Sequence, residues 1–230
     1  MIPNNSKSIP AAPEYAWVTS INPQNIIFRG RSYLILKRIM DLALVLAAMP
    51  FVLPLMGLIA LLIRIDSPGA PVTFKQLRTG KGGAVFEMYK FRTMVPNAEE
   101  MKKELMHLNE LQWPDFKITN DPRITRVGRI LRKTSLDELP QLFNVIKGEM
   151  SLVGPRPTSF SAQTYKLWQT ERLDVLPGLT GLWQIIGRAS TEFDDRLRLD
   201  VAYIERRCIW LDIQILVHTV LAVLAQRGAH

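Results

Sequence analysis

Two adjacent carboxylates, Asp137 and Glu138, open a helical pattern in the segment Ser135-Leu136-Asp137-Glu138-Leu139-Pro140-Gln141. Ser135 and Glu138 match the S-x-x-E capping box, so one interpretation of the pair is purely structural. Pro140 weighs against it, because a cap at Ser135 places the missing proline N–H beyond the first turn, where it costs stability. If the helix begins at Asp137, its dipole keeps that carboxylate ionised and attracts a phosphate. Asp137 is therefore a candidate nucleophile.

A rigid loop, Gly154-Pro155-Arg156-Pro157, follows a short apolar strand. Its two prolines restrict the backbone on both sides of Arg156. A guanidinium held in one direction suits a phosphate contact, whereas the alternative is a surface turn with a solvated arginine. We take Gly154, Pro155, Arg156 and Pro157 as candidate substrate-binding residues.

A glycine-rich stretch, Pro177–Arg188, contains one tryptophan and ends in an arginine. Glycine lets a ligand approach the backbone closely, and Trp183 offers a stacking face for a base or a sugar. The spacing fits neither the dinucleotide fingerprint nor a P-loop, so an irregular connection around a buried tryptophan is the alternative. The candidate donor contacts are Thr180, Trp183, Gln184 and Arg188.

A set of cations is spread over the predicted strands and helices. The set consists of Lys75, Arg78, Lys90, Arg92, Arg123, Arg126, Arg129 and Arg132. The net charge of +8 and the pI of about 9.8 favour anionic partners. These side chains could clamp a diphosphate or headgroup phosphates, and a solvated or lipid-facing surface is the alternative. The candidate substrate contacts among them are Lys75, Arg78, Lys90, Arg92 and Arg132.

The small number of cysteines and histidines limits the metal and redox sites that the chain could form. The single cysteine, Cys208, excludes a disulfide framework and suits a reducing compartment. The three histidines lack ligand spacing, which argues against zinc. A Mg²⁺ site needs only one or two carboxylates plus substrate phosphates, so Asp137 and Glu138 are candidate ligands.

An uncharged segment, Leu42–Ile63, is long enough to cross the roughly 30 Å core of a bilayer. Pro50 and Pro54 lie in its middle and predict a break, since each lacks an N–H and clashes with the preceding turn. Basic residues flank both ends, and positive charge prefers the cytoplasmic side. We therefore predict a re-entrant membrane helix over 36–66 that enters and leaves by one face, with a single kinked span as the alternative.

The remaining elements predict an α+β fold: a monotopic membrane protein with a Pro-broken re-entrant helix, a small β-hairpin and several amphipathic surface helices. Residues 1–35 are predicted to be a poorly ordered arm without a signal peptide, and 67–230 one cytoplasmic catalytic domain with membrane-interface helices. The hairpin strands are Val72–Gln76 and Val85–Phe91. The helices are predicted over 98–112, from Asp121-Pro122 with Asp121 as N-cap, over 137–147, and over 203–225.

The order of these motifs resembles the bacterial sugar transferase family, monotopic phosphoglycosyl transferases that start exopolysaccharide and O-antigen chains on a polyprenol carrier. The resemblance covers roughly residues 35–227. After the apolar segment it rests on Val72–Gln76, Met88–Met94, Ser135–Leu142, Gly154–Pro157 and Pro177–Gly181. Larger relatives carry a multi-span N-terminal region, and this chain resembles the short, exopolysaccharide-initiating type. Many smaller members have Ser-Pro at the helix break, where this chain has Met49-Pro50.

The resemblance implies a reaction at the cytoplasmic face of the bacterial inner membrane. A nucleotide diphosphate sugar, a UDP-hexose, donates a sugar-1-phosphate to undecaprenyl phosphate and releases UMP. By the same resemblance, Asp137 is the nucleophile of a phosphosugar-aspartyl intermediate, Glu138 completes the dyad and binds Mg²⁺ with Asp137, and Arg156 lies near the phosphate.

One rival interpretation is a non-enzymatic, basic scaffold protein at the membrane surface. It explains the charge and the apolar segment but not a carboxylate pair combined with a rigid Gly-Pro-Arg-Pro loop. A nucleic-acid binder is disfavoured, because no recognition motif is present and the apolar segment argues for membrane. The transferred sugar and the oligomeric state, a homo-oligomer included, stay open at this point.

Overall fold

The computed structural model describes residues 16–19, 21, 26–110, 118–160, 162–165, 167–186 and 193–225. The chain divides into two compact units, each assembled from separate stretches. The first unit is formed by Met1–Ala48, Gln76–Met88 and Gln141–Gly228, and the second by Met49–Lys75, Tyr89–Pro140 and Ala229–His230. Because the stretches alternate along the chain, no linker marks the units in the sequence. The domain boundaries expected after residues 35 and 66 stay a prediction.

A four-residue helix, α1 (Ala16–Thr19), lies within the predicted N-terminal arm. Val18 is fully buried, and the Trp17 ring stacks on His218 with centroids 5.1 Å apart. This part of the arm is packed against the first unit, which the polar, proline-rich composition did not indicate. Residues 1–15 lie outside the described residues.

The apolar segment forms one long helix, α2 (Gly30–Asp66), which begins before the predicted start at residue 36. It is the one helix in the described part of the chain that is long and apolar enough to cross a membrane. Pro50 and Pro54 lie inside it, and the helix continues through both. The boundary between the two units falls between Ala48 and Met49, directly before Pro50. The re-entrant break at the prolines stays a prediction.

Most of the α2 surface is exposed and apolar. Phe51 is 80% exposed and Ile65 is 67% exposed, and leucines fill the surface between them. An apolar surface of this length on a single helix indicates apolar surroundings such as lipid. The structure therefore agrees with a membrane-associated α+β protein.

The predicted basic flank of α2 is tied into the first unit. Lys37 Nζ lies 3.0 Å from Oδ2 of the buried Asp212. Arg38 donates to the backbone carbonyls of Val145 and Ile146, at 2.5 Å and 2.8 Å. These charges hold the helix to the protein and so do more than flank a membrane segment.

A hairpin of β1 (Thr73–Thr79) and β2 (Val85–Phe91) follows α2. Its turn is the 3-10 segment Lys81–Gly83, in which Gly82 and Gly83 adopt positive φ as only glycine does without strain. The prediction of a hairpin with a glycine-rich turn is confirmed, although β1 runs three residues further than expected.

The second unit has a core of Ile59 and Ile63 from α2, Phe91 from β2, and Leu131 from α4 (Arg126–Thr134). The prediction that Asp121 caps this helix is wrong. Thr125 is the N-cap, and its side chain accepts from the Gly128 N–H at 3.0 Å. A further helix, α3 (Ala98–Glu104), continues as a 3-10 turn to Leu108, and residues 111 and 112 of the predicted 98–112 helix lie outside the described residues.

The first unit contains a short parallel pair, β3 (Ser151–Val153) and β4 (Gly178–Thr180), which pair Ser151 with Gly178 and Val153 with Thr180. Around it lie helices α5 (Gln141–Lys147), α6 (Leu182–Ile186), α7 (Phe193–Arg206) and α8 (Ile209–Leu224).

The prediction of one helix over 203–225 is wrong, because the helical conformation is interrupted between the end of α7 at Arg206 and the start of α8 at Ile209. Cys208 has extended backbone, and its Sγ accepts from the Leu211 N–H as the N-cap of α8. The sequence at this interruption contains no proline or glycine, so it gave no signal that the helix would end there.

Candidate active site

Asp137 and Glu138 lie in a 3-10 turn, Leu136–Glu138, between α4 and α5. The Ser135 side chain makes no capping hydrogen bond there, which contradicts the capping-box interpretation. The helix predicted from Asp137 begins only at Gln141, after this 3-10 turn and Pro140. Asp137 is therefore outside the first turn of α5, and the helix dipole invoked from the sequence does not account for its charge state.

Glu138 is held by a lysine from the hairpin. Lys90 Nζ donates to Glu138 Oε1 at 2.9 Å, and the two side chains are 18% and 17% exposed. An ion pair at this level of burial is screened less by water than a surface pair. Both residues were predicted as site residues, and the structure brings them into direct contact.

Arg132, at the end of α4, is the cation that acts on Asp137. Its Nε donates to the Thr93 hydroxyl at 2.9 Å, which fixes the guanidinium. Burial lowers the pKa of Arg132, whereas the negative charges of Asp137 and Asp121 raise it. Arginine stays protonated in proteins, so a permanent positive charge lies within electrostatic range of Asp137, which is itself only 9% exposed. Thr93 was not anticipated, since a lone threonine after a strand carries no signal.

Arg123 forms a buried ion pair with Asp121. Its Nε and Nη2 donate to the Asp121 carboxylate, at 2.9 Å and 2.7 Å, and both residues are less than 10% exposed. Hydrogen bonding from Arg123 lowers the pKa of Asp121. This pair explains why Asp121 does not cap α4, and it removes Arg123 from the cations that can meet a substrate.

Two further cations that were predicted to contact substrate, Lys75 and Arg92, lie in the second unit, in and directly after the hairpin strands. Lys75 Nζ lies 5.7 Å from the centroid of the Tyr89 ring. The Arg92 guanidinium lies 6.0 Å from the Phe74 ring, and its Nε donates to the Pro71 carbonyl at 2.8 Å. These contacts hold the cations over aromatic faces, where attraction to the ring π-system adds to their packing.

The Gly154-Pro155-Arg156-Pro157 loop lies in the first unit and borders a pocket. The pocket is lined by Thr79, Gly80, Pro155, Arg156, Pro157, Thr158, Tyr165, Arg172, Leu173, Val175 and Pro177. Thr79 fixes the hairpin end of this pocket, because its N–H donates to the Thr158 carbonyl at 3.0 Å and its hydroxyl donates to the Phe160 carbonyl. Arg156 thus lines a small concave surface between its own loop and the end of the hairpin.

Sequence reasoning missed the support beneath Arg156. Arg172 Nη2 donates to the Arg156 carbonyl at 2.6 Å and lies 2.8 Å from Asp200 Oδ2 on α7. Burial raises the pKa of Asp200 to about 6, although Arg172 and Arg196 oppose the shift. Asp200 and Arg172 are 28 positions apart in the sequence, so no local pattern could have paired them.

Gly178 and Gly181 of the predicted donor-binding stretch serve strand packing, and Gly187 lies outside the described residues. A Cβ on Gly178 would collide with the backbone of Gly154, and one on Gly154 would lie 2.6 Å from the Leu176 carbonyl oxygen. A Cβ on Gly181 would also meet the Gly154 carbonyl. The close approach inferred from the sequence is therefore between β3 and β4.

Other predicted donor contacts are engaged within the first unit. The Thr180 hydroxyl is 2.7 Å from that of Thr219 on α8. The Arg196 guanidinium lies 5.4 Å from the Trp183 ring centroid, so a cation already stacks on one face of that ring. Arg78 donates to the Gln76 amide at 2.6 Å, and the Gln184 N–H donates to the Gly181 carbonyl. Arg188 lies outside the described residues.

Two groups of predicted residues are thus assembled, one in each unit. The second unit brings together Asp137, Glu138, Lys90 and Arg132, and the first brings Arg156 and its neighbouring prolines to the pocket. Among the described residues no three His, Cys, Asp or Glu side chains cluster as a metal site. Mg²⁺ completes its shell with water and substrate phosphates, so Asp137 and Glu138 stay candidate ligands as predicted.

Comparison with known proteins adds a family match. The model of the family described as "Bacterial sugar transferase" matches residues 32–226. The chain is 42% identical over 214 residues to a protein named galactosyl transferase CpsE from Streptococcus agalactiae, covering 91% of this chain and 47% of that protein. It is 44% identical over 205 residues to the undecaprenyl-phosphate galactose phosphotransferase of Salmonella typhimurium, covering 87% of this chain and 43% of that protein.

A shorter relative is matched over most of its length. The chain is 39% identical over 199 residues to the exopolysaccharide production protein ExoY of Rhizobium meliloti, covering 84% of this chain and 88% of that protein. The chain thus spans less than half the length of the two larger relatives and nearly all of the shorter one.

Proposed function

This chain belongs to the bacterial sugar transferase family, and we propose that it transfers a sugar-1-phosphate from a UDP-hexose to undecaprenyl phosphate and releases UMP. Relatives named undecaprenyl-phosphate galactose phosphotransferase and UDP-glucose:undecaprenyl-phosphate glucose-1-phosphate transferase support the general reaction. The product would be the first lipid-linked intermediate of an exopolysaccharide or O-antigen chain.

The observation that carries this proposal is the pairing of two carboxylates with two cations. Asp137 lies in the electrostatic range of Arg132, and Glu138 is bound by Lys90. A carboxylate that is largely withdrawn from water and lies within electrostatic range of a fixed cation is suited to attack phosphorus. A passive scaffold has no need of such an arrangement.

The reaction proceeds in two balanced displacements. An Asp137 oxygen attacks the phosphorus that bears the sugar, and the electron pair of the broken P–O bond leaves on UMP. An oxygen of undecaprenyl phosphate then attacks the same phosphorus and expels the Asp137 carboxylate. Two steps at one carboxylate let a soluble donor and a lipid acceptor use the same small site in turn.

The other side chains position the phosphates and offset their charge. Arg132 and Lys90 supply positive charge beside the dyad, and Arg156 supplies a planar fork that suits two phosphate oxygens. Mg²⁺, held by Glu138 with Asp137, would neutralise the diphosphate when bound. Phosphoryl transfer depends mainly on this kind of positioning and charge neutralisation.

Membrane attachment accounts for access to the lipid. We infer that α2 enters and leaves through the cytoplasmic face of the bacterial inner membrane, with its break at Pro50 and Pro54. The basic residues at both ends of the uncharged segment support this topology, since positive charge prefers the cytoplasmic side. The site would then meet the acceptor phosphate at headgroup level.

A donor screen tests the proposal. The full chain in detergent or nanodiscs is mixed with undecaprenyl phosphate, Mg²⁺ and one of UDP-glucose, UDP-galactose or an N-acetylated UDP-hexose, and UMP is quantified. We expect UMP and a lipid-linked sugar from at least one donor, and little from Asp137→Asn. Asp195→Asn, which alters an acid paired with Arg198 on α7, serves as the control and should keep full activity. A chain that turns over none of the donors would favour the scaffold interpretation.

A further inference from the structure

The outer face of α4 carries an isoleucine surrounded by cations. Arg126, Arg129, Ile130 and Lys133 recur at the three- and four-residue spacing that places side chains on one helix face. All four side chains are exposed, and Ile130 is 63% exposed. The inner face carries Val127, Gly128 and Leu131.

The cations on this face have no acidic partner among the described residues. The helix itself, RVGRILRKT, contains no aspartate or glutamate. In contrast, the neighbouring arginines of the same three-residue series point inward, where Arg123 binds Asp121 and Arg132 binds Thr93. The series that looked uniform in the sequence is thus divided into two inward-pointing arginines with partners and an outer group whose charge is not balanced by an acid.

The position of α4 fixes the surroundings of this face. Leu131 and Val127 pack against Ile59 and Ile63 in the last turns of α2. The Asp66 carboxylate, at the end of α2, accepts from the Val127 N–H at 3.1 Å. The uncharged stretch of α2 ends at Ile63, so α4 lies beside the level at which an apolar helix leaves the hydrocarbon.

The same turns of α2 expose apolar side chains beside α4. Leu58, Leu61 and Leu62 are between 42% and 57% exposed, and Ile65 is 67% exposed. Arginine and lysine near the end of a membrane helix extend their charged ends to the headgroups while their stems cover apolar surface. An exposed isoleucine among them fits the acyl boundary just below.

We propose that the outer face of α4, formed by Arg126, Arg129, Ile130 and Lys133, binds anionic phospholipid headgroups of the bilayer. The three cations contact lipid phosphates, and Ile130 inserts between them. This interaction holds the end of α2 and the adjoining α4 at a fixed depth. It does not depend on the proposed transfer reaction, since neither Asp137 nor the donor takes part.

Depth-dependent quenching tests this interaction in the full chain. Ile130→Cys is introduced with Cys208→Ser, a change that keeps an N-cap acceptor on α8. The cysteine is labelled with a small fluorophore, and the protein is reconstituted into phosphatidylcholine vesicles with or without phosphatidylglycerol. A nitroxide near the headgroup end of the acyl chain is the quencher. We expect quenching to rise roughly threefold or more with phosphatidylglycerol, as the attraction of cations to anionic lipid predicts.

A charge variant separates headgroup binding from simple insertion. Arg126→Gln/Arg129→Gln keeps helix propensity but removes two charges, and we expect it to abolish the dependence on phosphatidylglycerol. Lys81→Gln/Lys103→Gln removes two exposed charges elsewhere and should leave the dependence unchanged. Equal quenching in both lipids would overturn the proposal, because it would mean apolar insertion without headgroup binding. Absence of quenching in either lipid would also overturn it and assign the face to solvent or a protein partner.

Discussion

Lys90 Nζ lies 2.9 Å from Glu138 Oε1, so a lysine from the hairpin binds the carboxylate directly beside the candidate nucleophile. The contact joins two motifs that are 48 positions apart in the sequence. It gives Glu138 a fixed direction and places a positive charge where donor phosphates would approach. The pair therefore links the stability of this unit to its proposed chemistry.

Breaking this pair should affect both properties. Lys90→Met leaves Glu138 partly buried without its partner, so we expect a loss of about 1–3 kcal/mol in the free energy of unfolding. Activity should fall by roughly a hundredfold, because a positioned cation is lost. The double variant Lys90→Met/Glu138→Gln should recover most of the stability but none of the activity. A double variant as unstable as the single one would show that the ion pair is not the source of the loss. Thermal unfolding and UMP release measure the two effects.

Arg156 is predicted to act through its fork and not through charge alone. Arg156→Lys keeps the charge but loses bidentate geometry, so turnover should fall more than about tenfold while the unfolding midpoint stays unchanged. Arg198→Lys on α7, in a partly exposed pair with Asp195, is the matched control and should keep full activity. Near-normal turnover in Arg156→Lys would mean that only a diffuse positive field is needed.

Asp200 predicts a specific pH dependence of stability. Its pKa is raised from 3.8 to about 6 in the folded chain, chiefly by burial, so the folded state binds the proton more tightly than the unfolded state does. Stability from this group is therefore full below about pH 4 and is lost as pH rises through about 6. Asp200→Asn cannot ionise, so its unfolding midpoint relative to the unaltered chain should increase between these two pH values. An equal difference between the two proteins at both ends of the range would contradict the shifted pKa.

Membrane topology is tested at the N-terminal side of α2. If Pro50 and Pro54 break the helix, each half of the uncharged segment 42–63 is about 16 Å long at 1.5 Å per residue, too short to span the hydrocarbon core. Ile27 is 89% exposed, so Ile27→Cys with Cys208→Ser gives an accessible probe. We expect an impermeant maleimide to label it only after cells are permeabilised. Pro50→Leu/Pro54→Leu should increase labelling of intact cells by favouring a spanning helix. Labelling of intact cells without the leucine substitutions would establish a single kinked span.

The parts of the fold that could be predicted from the sequence are those that depend on residues close together along the chain. The hairpin follows from two strands around Gly80–Gly83, and the apolar helix follows from the uncharged run. The parts it missed depend on residues far apart. Asp121 was expected as a cap but binds Arg123, and Cys208 starts a helix although its type is rarely a cap. The pairing of β3 with β4 joins strands 25 positions apart and could not be read from either one.

The site shows the same division. The residue types of Asp137, Glu138 and Arg156 and their order indicated phosphoryl chemistry, but the physical reason given for Asp137 was incorrect. A helix dipole was expected, whereas the charge that acts on Asp137 belongs to Arg132. Three-residue spacing showed that arginines recur on α4, but only their contacts show which of them point inward.

The central claim is that Asp137 becomes covalently bound to the sugar phosphate, and donor-only mass spectrometry tests it most directly. The full chain is incubated with Mg²⁺ and the active UDP-hexose without undecaprenyl phosphate, quenched and digested. The account predicts UMP in amounts close to the enzyme concentration and a hexose-phosphate mass on the peptide that contains Asp137. Asp137→Asn, similar in size, should fold but give neither signal. UMP that forms only when undecaprenyl phosphate is present, with an unmodified Asp137 peptide, would contradict the covalent mechanism and indicate direct transfer.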